Sequence, residues 1–317
     1  MFSIINSMQE WLKKFKRNKG MWFTSLFIIS VMGILISMVM ITQLTKSVAH
    51  DTYMEERRID LKQLDNSIVD HYDFLLSIGA MVAVDKNVVQ NLKNTDTNAL
   101  NASIKTITQS ISENVSNSNL DITYYLPNID RNETENNKFA KISMETLENI
   151  SGIVINKSGT RIIAMVPVID SNSTLGVIEI SESFHDIKDN FERLDKEFVF
   201  IIDKHQLVNI DLKHKSGKFR DINELYRVAY HNYASGFYMS AEDIDFDALA
   251  QSKYINTKKF YITYTPVNDL YGNPIGLVLI GENSKHANSF VQISQNMINS
   301  VTTVALGLVI SLILFMF

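Results

Sequence analysis

The sequence predicts an α+β protein: two tandem copies of one small module on a long N-terminal helix, flanked by two transmembrane helices. Three observations predict it. Long charge-free apolar runs occupy both ends of the 317-residue chain. Apolar residues between positions 61 and 82 recur at helical spacing. A strand–turn–strand pattern occurs twice, about 100 residues apart.

Between Lys19 and Lys46 no residue is charged. At 1.5 Å per residue this run exceeds the roughly 30 Å hydrocarbon core of a bilayer, so residues 21–45 read as the first transmembrane helix. Residues 298–317 carry no charge and read as the second. Neither run keeps the polar face of a surface helix. Lys13, Lys14, Lys16, Arg17 and Lys19 against the single acid Glu10 place residues 1–20 in the cytoplasm as a basic flank. Two spans then put residues 46–297 outside it. Phe2, Ile5, Trp11, Leu12 and Phe15 fit either an amphipathic helix on the inner leaflet or a frayed flank. Ser47, Val48 and Ala49 resemble a cleavage site, but the apolar run far exceeds the roughly 7–15 residues of a signal core, which favours an uncleaved anchor. The first 45 residues carry a net +4 and the remainder −9. An acidic external region gives no footprint for nucleic acid. The last residue falls inside an apolar run without a basic flank, so a cytoplasmic portion beyond residue 317 is expected.

Residues 46–84 read as one long helix. Leu61, Leu64, Ile68, Tyr72, Leu75, Gly79 and Val82 follow a near-heptad spacing. The stripe fits packing on its own domain and also pairing with a second copy in a homodimer. A second helix is expected at 98–116, a strand at 121–126, and a polar loop at 128–137. The repeat comes next. Pro167 matches Pro266 and Gly176 matches Gly276, at offsets of 99 and 100. Each copy is a β-branched or aromatic strand, a turn rich in Asn, Asp, Ser or Gly, and an apolar strand opened by glycine. A helix follows at 184–195 in the first copy and at 283–297 in the second, where it leads into the second span. A strand at 198–203 opens the second module, and a helix is expected at 221–232. The modules are therefore 85–197, distal to the membrane, and 198–282, proximal to it. Helices are expected on one side of the distal antiparallel sheet.

This layout resembles the double-Cache sensory domain of bacterial transmembrane receptors, in which a long helix supports two PAS-like modules. Residues 84–92 (VDKNVVQNL) resemble the family's helix of the kind NPxIxxAL. Ser151, Gly152 and Ile153 through Gly159, Arg161 and Val166, Pro167, Val168 resemble its SGIExGxxGxxLRxxVPV stretch. Residues 175–184 (LGVIEISESF) resemble xGxVExGxSF, and residues 200–203 the strand opening the second module. One departure is clear. After Leu126 and Pro127 the family has a strand reading FLRxHxP, and a polar loop stands here instead. An aromatic–Arg–aromatic run of other double-Cache receptors is also not evident. The resemblance implies a sensor in the bacterial inner membrane that binds a small ligand outside and signals to a cytoplasmic output. A methyl-accepting chemotaxis module is the expected output, with a histidine kinase or cyclic-dinucleotide synthase as alternatives. A non-signalling, two-span periplasmic subunit is the reading from a different class.

Chemistry in the chain points to binding. No cysteine is present, which removes thiolate catalysis and Cys-based metal sites. No HExxH, GxSxG, Walker A, GxGxxG or DxDxDG pattern occurs, and the seven histidines show no ligand-like pair. No catalysis, metal or cofactor is expected. PAS-like modules hold ligands between the sheet and its covering loops. By position, Tyr124 and Tyr125 before the loop, Arg161 and Met165 on the repeat strand, and Asp170 at its turn are the candidates. Alternation places Arg161, Ile163 and Met165 on one face. Arg161 either grips a carboxylate through paired hydrogen bonds or reaches solvent at the strand edge.

Overall fold

The computed structural model describes residues 19–114, 120–128, 135–171, 173–184, 186–203, 205–206, 210, 218–222, 225–228, 237, 241, 244–257, 259–284 and 289–316. The chain divides into two compact units: Glu56–His286, and Met1–Glu55 with Ala287–Phe317.

The second of these contains the apolar ends. Helix α1, Lys19–Ala83, is a single helix of 65 residues in which the boundary between units falls. It is the one helix among the described residues that meets both the length and the apolarity needed to cross a membrane. No proline interrupts it, the first in the chain being Pro127. Ile29 and Leu44 on its first half are 69 % and 70 % exposed. The last helix, α7 (Ser289–Met316), likewise leaves Met297 and Val304 exposed.

In the unit Glu56–His286 the helix changes character. Leu64, Leu75, Ile78 and Val82 are buried, and Ile68 and Tyr72 pack beside them. The near-heptad stripe thus faces the protein's own core. Asp85 then caps α2 (Lys86–Lys93), its Oδ1 accepting from the amides of Asn87 and Val88 at 2.9 and 3.1 Å. Helix α3 (Thr97–Asn114) buries Leu100, Ile104 and Ile111 at i, i+4 and i+11, one face of a 3.6-residue period.

The first sheet is antiparallel, in the order β1-β4-β3-β2, from β1 (Asp121–Tyr125), β2 (Ile150–Asn156), β3 (Gly159–Asp170) and β4 (Ser173–Ser183). Its inner face, with Ile162, Ala164, Val166, Ile178 and Ile180, joins the core shared with α1, α2 and α3. Gly79 of α1 allows this approach, since a Cβ there would stand 2.7 Å from Val166 Cγ2. The outer face carries Val154, Ile163, Met165 and Val177, covered by Phe139 and Ala140 of α4 (Glu135–Thr146). Two expectations are corrected here. Residues 135–137, read as loop, open a helix, and helices cover both faces of the sheet. The Asn-rich segment has weak helix propensity by itself, and burying Phe139 and Ala140 overrides it. The remainder of the expected loop, 129–134, lies outside the described residues.

Helix α5 (Asp186–Glu192) leads to the second sheet, in the order β6-β7-β5-β10-β9-β8. It comprises β5 (Lys196–Asp203), β6 (Lys218–Ile222), β7 (Leu225–Val228), β8 (Tyr254–Asn256), β9 (Phe260–Asn268) and β10 (Pro274–Asn283), with α6 (Phe246–Ser252) before β8. The helix expected at 221–232 is corrected where it is described. Residues 225–228 form a strand pairing β5, with Ile201 opposite Val228. A short apolar run suits either period, and the open edge of β5 decides it by offering hydrogen-bond partners.

The repeat is explicit in the pairing. Pro167 stands opposite Val177 and Gly176 opposite Val168; Pro266 stands opposite Leu277 and Gly276 opposite Val267. Both glycines also lie against a carbonyl of the strand on the other side. A Cβ on Gly176 would sit 2.5 Å from Tyr125 O, and one on Gly276 would strike Ile201 O. A ring cluster joins the two sheets. The Phe184 centroid lies 4.9 Å from that of Phe200, and Phe191 lies 5.2 Å from Phe198.

Candidate ligand site

The outer face of the first sheet opens into a cleft of about 720 Å³ at its β1 edge. Alternation along β1 directs Asp121, Thr123 and Tyr125 to it. On β4 the residues opposite Asp121 and Thr123 are Ser181 and Glu179. Arg161 enters from β3, Asn136 from α4, and Lys105, Thr108 and Gln109 from α3. Two helices beyond the sheet, α3 and α4, therefore close over one polar floor.

Glu179 is the centre of that floor. It is 4 % exposed. Tyr125 Oη donates to its Oε2 at 2.7 Å, and Asn136 Nδ2 donates to both carboxylate oxygens at 3.0 and 3.1 Å. Burial pushes the Glu179 carboxyl above its usual range, against the lowering effect of those two donors and of Arg161. Burial and the neighbouring carboxylate likewise push the Tyr125 phenol up, so it remains a donor. Both donors are neutral.

Arg161 is 8 % exposed. One guanidinium nitrogen, Nη2, donates to Asp121 Oδ2 at 2.6 Å, to the Ser181 carbonyl at 3.0 Å and to Ser181 Oγ at 3.2 Å. Asp121 is itself 70 % exposed, so water screens that ion pair and it contributes little to stability. The site thus sets a guanidinium and a carboxylate on adjacent strands of one face. Such a floor suits a small molecule with an acceptor for Arg161 and a donor for Glu179.

Of the candidates read from sequence, the structure brings Tyr125 and Arg161 together in the cleft. Tyr124 alternates to the inner face and packs on the shared core. Met165 is fully buried beneath α4. Asp170 is at the far end of β3, paired with Lys93 at 2.7 Å. Glu179, Asn136, Asp121 and Ser181 were not among the sequence candidates. For Glu179 a signal existed, a lone acid inside the apolar run of residues 177–180.

The family model described as a double sensory domain of two-component sensor kinase matches residues 51–287. The chain belongs to this double-Cache family. Solved structures similar to the double-Cache chain include the ligand-binding domain of a Campylobacter jejuni chemoreceptor in complex with 4-methylisoleucine, at 11% identity. That match covers 78% of this chain and 96% of that one, with a TM-score of 0.45. A domain of a sensory box/GGDEF family protein from Vibrio parahaemolyticus is 11% identical over 76% of this chain and 99% of that one, with a TM-score of 0.43. The V. cholerae histidine kinase DctB sensor domain is 14% identical over 73% and 98%, with a TM-score of 0.38. No curated protein matches the chain.

Proposed function

We propose that this double-Cache chain is the sensing part of a transmembrane receptor, with residues 46–297 outside the cytoplasm and spans at 21–45 and 298–317. Its first, membrane-distal module binds a small bipolar ligand in the β1-edge cleft. The observation that carries the reading is the Arg161 and Glu179 pair, two buried opposite charges on the floor of an accessible cavity. Buried charges cost folding free energy, and a site that meets both with one ligand gives them a use. A zwitterion supplies an anionic group for Arg161 and an ammonium for Glu179.

The apolar surfaces of α1 and α7 support the two spans, since side chains such as Leu44 and Val304 are left bare. Dimerisation would use the outward face of α1, where Ile59 and Val69 are exposed, because the near-heptad stripe is occupied by the protein's own core. Chemotaxis and kinase signalling are the two outputs proposed. Ligand-dependent swimming and ligand-dependent phosphoryl transfer distinguish them.

Calorimetric titration of the full chain in detergent micelles with zwitterionic, purely anionic and purely cationic small molecules tests the site. The zwitterions should bind. Arg161→Ala and Glu179→Gln should each weaken that binding about 10- to 100-fold, the cost of one lost charge-assisted contact. Binding unchanged in both variants would remove the cleft from consideration.

A further inference from the structure

The hundred-residue repeat carries a second feature, away from the cleft. Glu182 in β4 and Glu282 in β10 are the penultimate residues of equivalent strands, 100 positions apart. Both meet α1. Glu182, 3 % exposed, contacts His71 Nδ1. Glu282 stands in register with Lys196, which pairs with Glu56 of α1, and the Glu282 and Glu56 carboxyl groups are close enough to repel. Glu282 also lies in register between Lys196 of β5 and Tyr261 of β9. From there Lys196 Nζ reaches α1, 3.0 Å from Glu56 Oε1 and 2.5 Å from Asp60 Oδ1. Asp60 is fully buried, and among the described residues its Oδ2 and Glu282 Oε2 have no hydrogen-bond partner.

Both contacts depend on a proton. A carboxyl group crowded by other carboxylates sits comfortably only while it keeps its proton, and once ionised it is repelled. An imidazole holds a carboxylate as an ion pair only in its protonated form. The groups facing Glu282 are Glu56 and Asp60 from α1 and Lys196 from β5, with Tyr261 beside it in the sheet and Arg57 and Tyr254 facing Tyr261 in turn. Those facing His71 are Glu182, Asp186 and, on its own helix, Asp70. Around Glu282, three carboxyl groups surround one ammonium. Around His71, the charged groups among the described residues that act on it are the acids Glu182, Asp186 and Asp70.

We propose that Glu182 and Glu282 are equivalent proton-dependent handles by which the two sheets hold α1, with His71 the partner in one and Glu56 in the other. Loss of protons loosens both. Burial pushes Glu282 up to about 7 and Asp60 up to about 6. Burial opposes the His71 cation, yet Glu182, Asp186 and Asp70 hold its pKa above the ordinary value. In each case the folded chain binds more protons than the unfolded chain, so stability falls as pH rises. The window runs from 4.5 to about 7 for Glu282, from 3.8 to about 6 for Asp60, and upward from 6.5 for His71. All three act in the same direction across neutrality.

The test is thermal unfolding of the full chain in detergent micelles, followed by circular dichroism at pH 5.5, 7.0 and 8.5. The Tm of the unmodified chain should fall across this range. Glu282→Gln, neutral at every pH, should raise Tm more at pH 8.5 than at 5.5, by roughly 4 °C. His71→Gln should lower Tm more at pH 5.5 than at 8.5. The double variant should keep only the shallower slope that Asp60 and Glu179 contribute. If His71→Gln fails to fold because Glu182 is left as a lone buried charge, His71→Gln combined with Glu182→Gln supplies the same comparison. A pH slope as steep in the double variant as in the unmodified chain overturns the proposal, as does an unmodified chain whose Tm does not fall.

Discussion

Glu179 shows how a functional carboxyl is held in an apolar sheet. It interrupts a run of valine and isoleucine, and among the described residues the Tyr125 hydroxyl, the Asn136 amide and the Arg161 field offset its desolvation. Because burial raises its pKa, the folded state carries an unfavourable charge above the ordinary carboxyl range, and that cost grows as pH rises. Glu179→Gln should therefore raise Tm at pH 8 and lose that gain toward pH 4.5, while ligand binding weakens. The Tyr125 hydroxyl and the Asn136 amide both accept as well as donate, so they accommodate the new side chain by turning. A Tm that drops at pH 8 would count against this account. Sequence reading reached Tyr125 and Arg161 through position and strand alternation. It passed over Glu179 because an acid in a strand reads as surface until its neighbour across the sheet is known. Asp121 and Ser181 were passed over for the same reason.

At the scale of elements, the two sheets share one core through rings. Phe184, Phe191, Phe198 and Phe200 are all buried where β4, α5 and β5 meet. Phe184→Ala should cost about 3–5 kcal/mol in chemical denaturation, the usual loss for a buried aromatic. A cost near zero would mean that the modules do not depend on this cluster. The hairpin β9–β10 makes a second tie. Leu270 at its turn packs beside Gly152 of β2, and the Tyr271 ring lies 4.7 Å from Phe139 of α4. The hairpins themselves were legible, since the matched proline and glycine of each copy stand in the same register. α4 and the β6–β7 pair were not. Their residues have no decisive periodicity, and each forms on a surface that distant chain supplies: the outer face of the first sheet for α4, the edge of β5 for β7.

Over the whole molecule, α1 carries two kinds of surface along one helix, bare and apolar in its first half and buried on one stripe in its second. The proposed topology is directly testable because the chain has no cysteine. With Lys86→Cys, at an exposed position in α2, a membrane-impermeant maleimide should label intact cells from outside. Labelling only after lysis would invert the orientation. Sequence by itself determined the apolar end segments, the α+β class, the repeat and the family resemblance, because these rest on local composition, period and spacing. Tertiary structure decided which face of α1 is occupied, which side chains meet in the cleft, and that Glu182 and Glu282 each meet α1. Those facts depend on contacts between residues distant in the sequence, such as Asn136 with Glu179, 43 positions apart, and Lys196 with Asp60, 136 apart, and no local pattern encodes them.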